Sequence, residues 1–111
     1  MGKYSSIDDV KRAVDENFGL LTVEMKELRD IYARERLGAQ VRERIKQDLA
    51  KVGISYQSEK AGDALPRYQD DLVRLYRKDS PAQALIEAAR HPGKAADNLL
   101  WQALVWVKMN K

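Results

Sequence analysis

The chain has no cysteine and a single histidine, His91, among its 111 residues. Without thiols there is no disulfide framework and no thiolate metal site, and a second histidine for a zinc centre is missing too. Apolar runs are short, none near the roughly 20 residues that span a bilayer. The opening MGKYSSIDDV has no apolar segment of the kind a secretory signal carries, so cytoplasm and no membrane partner are expected. Gly2 and Ser6 fit the loose myristoylation pattern, but Asp8 and Asp9 follow where an anchor needs basic residues, and lipidation is set aside.

Chemistry-bearing clusters are scarce as well. Gly53, Gly62 and Gly93 stand singly, so no glycine loop cradles a phosphate. The acidic pairs Asp8/Asp9 and Asp70/Asp71 are sequence neighbours, not the facing carboxylates of acid–base catalysis. Ser5, Ser6, Ser55, Ser58 and Ser80 have no base to activate them. His91, next to Pro92, suits a helix C-terminus as a dipole partner. No catalytic residue, cofactor or metal is expected, and the chain is not read as an enzyme.

What the chain does have is charge, and it is unevenly placed. Hydrophobic residues make up 44% and charged ones 33%, a globular composition long enough for one core. The net charge is +3, from 20 basic and 17 acidic residues. Residues 34–51 carry six cations (Arg34, Arg36, Arg42, Arg44, Lys46, Lys51) against Glu35, Glu43 and Asp48, and six minus three equals the whole net charge. The excess is local.

Ser6 with Asp9 marks a capped helix start, and Ile7, Val10 and Val14 form its apolar stripe, extended to Phe18 and ended by a left-handed Gly19. Leu20–Val23 reads as a short strand or extended crossing. A second helix is expected from about Met25 to Ala33, with Met25, Leu28, Ile31 and Tyr32 on one face. After a turn over Ala33–Gly38, a third helix starts near Leu37 or Gly38 and runs to Val52, stopped by Gly53. Val41, Ile45, Leu49 and Val52 give it a narrow buried seam. Opposite lie Gln40, Glu43, Gln47 and Ala50, flanked by Arg44, Lys51 and Lys46.

Ile54–Tyr56 alternates like a strand, and residues 57–71 read as a loop around Gly62 and Pro66. Residues 72–78, LVRLYRK, fit a strand with Val73 and Leu75 inward, or a helix with Tyr68, Leu72, Leu75 and Tyr76 on one face. The strand is preferred, because Ile54–Tyr56 otherwise lacks an antiparallel partner. Ser80-Pro81 with Gln83 starts a fourth helix, which stops at His91-Pro92-Gly93. A fifth, from Lys94 to Met109, is apolar on nearly all sides, and Trp101 and Trp106 project in different directions.

Over residues 5–78 this order of elements resembles the winged helix-turn-helix family. Leu21–Val23, then Met25, Leu28 and Ile31, then Leu37-Gly38, then Val41, Ile45 and Leu49 carry the resemblance, with Ile54 and Tyr56 against Val73 and Leu75 as the wing hairpin. It implies a mainly α fold with a small β-hairpin: a winged-helix-like domain over residues 1–79 and two C-terminal helices over 80–111. It further implies a small transcriptional regulator that binds duplex DNA. Gln40, Arg44 and Gln47 would read base edges, and Arg36, Arg42, Lys46 and Lys51 would hold phosphates. Glu43 on the same face would have to accept from cytosine. Residues 57–71 hold Lys60 and Arg67 against Glu59, Asp63, Asp70 and Asp71, a net −2, so the wing is expected to add little grip.

Two other readings stand beside this one. The third helix can be a solvated face laced by pairs such as Asp48 with Arg44 and Glu43 with Gln47, in a protein-binding adaptor or inhibitor. The chain can also be an accessory domain of a larger nucleic-acid enzyme. Arg74, Arg77 and Lys78 either extend the positive surface or guard an edge strand. The last helix either lies buried across the back of the domain or forms a homodimer through Leu100, Trp101, Leu104 and Trp106.

Overall fold

The computed structural model describes residues 3–32, 38–62 and 64–110. Two compact units divide the chain, Met1–Lys78 and Asp79–Lys111. Among the described residues no helix is long and apolar enough to cross a membrane.

In the first unit α1 spans Ile7–Glu16. The Ser6 hydroxyl accepts the Asp9 N–H at 3.2 Å, and the Asp9 carboxylate accepts the Ser5 N–H at 3.1 Å, one residue before the cap. Ile7, Val10 and Val14 are buried as one stripe. The stripe stops there. Phe18, expected to extend it, is 93% exposed and is left-handed too, with φ 62° beside the expected Gly19 at φ 85°. The Gly19 N–H closes the helix end on the Val14 carbonyl at 2.8 Å, which forces the residue before it into that conformation. A bulky residue there costs about 1 kcal/mol. Phe18→Gly is therefore expected to stabilise the protein by about 1 kcal/mol, read as a higher urea midpoint with an unchanged slope.

The strands β1 (Leu20–Glu24), β2 (Ile54–Gln57) and β3 (Leu72–Arg77) form one antiparallel sheet in the order β1-β3-β2. The ambiguous stretch after Asp71 is thus a strand. It lies in the middle, so the edge-guarding reading of Arg74 and Arg77 does not hold, and the expected two-stranded hairpin is a three-stranded sheet. Leu75 pairs with both Leu21 and Tyr56, and Val73 pairs with Val23. Period two then sets Val23, Val73, Leu75 and Ile54 on the inner face, all buried.

The helix α2 is only Met25–Arg29, continued by a 3-10 turn over Asp30–Tyr32, and is shorter than its pattern suggested. Its first donors are taken by a loop: Met25 N–H by the Asp71 carbonyl at 3.0 Å and Lys26 N–H by the Gln69 carbonyl at 2.8 Å. Helix α3 runs Ala39–Lys51 and buries Ile45 and Leu49, with Val41 and Val52 half-buried against the same core. The core also takes Tyr4 and Leu65, and Pro66 is fully buried. Residues 57–71 are therefore not a purely solvated loop. Ser58 and Gly62 bridge across a tight turn, and the chain reaches the core again at Leu65 and Pro66.

Arg77 knits these layers together. Its guanidinium donates to the Val52 carbonyl at 2.8 Å, at the end of α3, and pairs with Asp15 of α1 at 3.1 Å. Gly53 holds φ +74°, and any Cβ there would sit 3.4 Å from the same guanidinium.

In the second unit α4 (Pro81–Arg90) and α5 (Lys94–Met109) form a helical hairpin. The Ser80 hydroxyl caps the Gln83 N–H at 3.3 Å. The Gln83 side chain returns to the N–H of Asp79, one residue further back than a capping box reaches. No residue of α5 is buried.

Candidate nucleic-acid interface on the third helix

The seam Val41–Ile45–Leu49–Val52 fixes which way α3 faces. At about 100° per residue, Gln40, Arg44, Gln47 and Lys51 stand at i, i+4, i+7 and i+11, a single row within about 60° of arc. All four are exposed. The row is about 16 Å long at 1.5 Å per residue. Glu43 and Ala50 border it on one side with Lys46 beyond, all exposed. Tyr32, Gln40, Glu43, Arg44 and Gln47 line one open hollow along its first half.

Within this face the polar groups already hold one another. Arg44 Nε is 3.3 Å from Asp48 Oδ2, Lys51 Nζ is 3.9 Å from Asp48 Oδ1, and Gln47 donates to Glu43 at 3.3 Å. The Arg44–Asp48 and Gln47–Glu43 pairs are those expected from spacing, the Lys51 contact is not, and Arg44, Lys51, Gln47 and Glu43 are all exposed. Such exposed pairs contribute about 0–1 kcal/mol each. Asp48 is the pivot. Its carboxylate also accepts the Tyr32 hydroxyl at 2.7 Å, tying α3 to the 3-10 turn.

Burial, and then that hydrogen bond, hold the Tyr32 phenol well above the ordinary tyrosine value. An unfolded tyrosine ionises near 10.0, while folded Tyr32 stays neutral. The stability linked to it is therefore complete below about pH 10 and is lost as the pH climbs above that value. Urea midpoints from about pH 9 to about pH 11 should fall less steeply in Tyr32→Phe than in the wild type. Equal slopes would mean that Tyr32 ionises as freely folded as unfolded.

The remaining predicted positions divide. Lys46 is exposed. Arg42 is half-buried in a cleft with Lys46, Tyr56, Ala64 and Leu65, and its Nε is sealed from solvent without a hydrogen-bond partner. Arg36 lies outside the described residues, as do residues 33–37 of the expected turn Ala33–Gly38. Arg77 is committed to Val52 and Asp15, and Arg74 donates to Gln57 at 3.1 Å. The acidic groups of the loop are partly spent: Asp71 pairs with Lys60 at 3.0 Å and Asp70 with Lys26 at 3.6 Å.

Sequence reasoning missed Leu65 and Tyr4 as core residues and Arg77 as a structural tie. A lone apolar Leu65 in a polar loop was the one signal available. Among the described residues no three His, Asp or Glu side chains gather at metal-binding spacing. No protein-family model matches the chain, and no curated protein or solved structure matches it either.

Proposed function

We propose that the first unit is a winged helix-turn-helix domain that binds duplex DNA with α3 in the major groove, most simply as a small transcriptional regulator. The observation that carries this is the row Gln40–Arg44–Gln47–Lys51: four exposed side chains suited to bases and phosphates, on a helix whose opposite side is clamped into the core. The order α1-β1-α2-α3-β2-β3, with β3 between β1 and β2, supports the same reading.

Magnitudes favour exchange of partners on binding. Releasing Arg44 from Asp48 costs about 0–1 kcal/mol, whereas a bidentate contact from Arg to guanine discriminates by about 1–3 kcal/mol. Gln47 leaves Glu43 on similar terms and suits adenine, and Glu43 is then free to accept from a cytosine amino group. Lys46 and Lys51 meet phosphates at the groove walls. Arg42, half-buried, adds to the positive field from behind. With Asp70 and Asp71 held by Lys26 and Lys60, the segment after β2 repels phosphate less than its composition implies.

A mobility shift with non-specific duplex at low salt tests the reading. With Lys46 and Lys51 on phosphates, affinity should fall about tenfold or more between about 50 and about 200 mM salt. Absence of any shift at low salt would sink the proposal and leave this face to a protein partner. Selection of bound duplexes from a random pool then reports the preferred bases and the symmetry of the site.

A further inference from the structure

The second unit carries an apolar surface that nothing in its own hairpin covers. Trp101 is 60% exposed, Leu104 63% and Val105 56%, and Met109 is more exposed still. The half-buried residues of α5, Ala96, Leu99, Leu100 and Ala103, share a neighbouring arc, with Leu100 about 40° from Leu104. Asp97, Trp101, Leu104 and Lys108 follow at steps of four, three and four, the spacing of a two-helix seam. At about 100° per residue they occupy one stripe about 60° wide, with Val105 beside it. Both charged ends of the stripe are exposed.

We propose that this stripe pairs with the same stripe on a second copy of the chain. The two α5 helices run antiparallel about a two-fold axis between Trp101 and Leu104. The charges choose the direction. A parallel pair would set Asp97 against Asp97 and Lys108 against Lys108, like on like. An antiparallel pair sets Asp97 of each copy beside Lys108 of the other, and Trp101 beside the second copy's Leu104, because each pair is equally far from the axis. The surface is self-complementary, as a two-fold interface requires.

The area is that of a weak, reversible contact. Trp101, Leu104 and Val105 at these exposures present on the order of 350 Å² per chain, or about 700 Å² for two, at the low end of interface sizes. Leu100, half-buried within its own unit, and Trp106, off the stripe, take no part in the seam. The pairing therefore rests on Trp101 and Leu104 among the four residues that the sequence pointed to.

The proposal is independent of DNA binding, and its test is the mass of the full chain in solution. Between about 1 and about 200 μM, light scattering or sedimentation should rise from 12.7 kDa towards twice that value. Asp97→Lys and Lys108→Asp each place like charges together twice, and each should weaken pairing about tenfold or more. The combined D97K/K108D variant should return to within about threefold of wild type, because the attraction is restored with its sign exchanged. These positions are exposed, so circular dichroism should show all three variants folded. Trp106→Phe should pair as wild type and leave Trp101 as the sole indole, whose emission then shifts to the blue as the concentration rises. A monomer throughout overturns the proposal. So does a dimer indifferent to the single substitutions, or a double variant as weak as either single.

Discussion

Arg44→Glu combined with Lys51→Glu is expected to abolish the mobility shift at low salt, a loss of about 100-fold or more in affinity, while the protein stays folded. Both side chains lie in the exposed row of α3, away from the seam of Ile45 and Leu49. Over Ala39–Lys51 the charged residues are Arg42, Arg44, Lys46 and Lys51 against Glu43 and Asp48, four minus two, or +2. The double reversal makes this −2. One base contact that contributes about 1–3 kcal/mol and one phosphate contact are lost, and repulsion from phosphates is added. The cost to stability is smaller. Asp48 loses two exposed partners, each contributing about 0–1 kcal/mol, and keeps the Tyr32 hydroxyl. Circular dichroism and a urea titration separate the two effects. Retained binding by a folded variant would remove α3 from the interface.

Leu75→Ala should be the most damaging of the simple truncations in the first unit, costing about 3–4 kcal/mol. Leu75 is fully buried on the central strand and pairs with Leu21 on one side and Tyr56 on the other. Removing its side chain loses the transfer free energy and leaves a cavity that three strands and the helices beneath cannot close together. A unit of this size has a total stability of roughly 4–12 kcal/mol, so the variant is left marginal. Its urea midpoint should fall by about 2 M. Leu72→Ala is the matched control: it lies on the same strand but is exposed, and it should cost about 0.5 kcal/mol or less. Equal costs for the two would contradict the inward orientation of Val73 and Leu75.

Much of this molecule is written locally. The start of α1 at Ser6, the start of α4 at Ser80 and the end of α3 before Gly53 all coincide with cap residues that act within one turn. The seam of α3, and with it the exposed row Gln40–Arg44–Gln47–Lys51, also follows from spacing alone, since one helical period sets both faces. A helix meets its backbone hydrogen bonds inside its own segment, so a short window of residues carries nearly all the information.

The rest needed partners distant in sequence. A strand meets its hydrogen bonds only on another strand, so LVRLYRK could be read two ways until Leu21 and Tyr56 were found on either side of Leu75. Its central position, and with it the release of Arg77 from guarding an edge to join Val52 and Asp15, was decided in the same step. Tyr4 and Leu65 entered the core, and Phe18 was left in solvent, for the same reason: burial belongs to the assembled surfaces and not to the residue. The sequence by itself determined the starts of α1 and α4, the end of α3 and the basic face of α3, because those are fixed over distances of a few residues. Only the tertiary structure decided the sheet order, the membership of the core and the bare stripe on α5, because each depends on what the chain brings alongside.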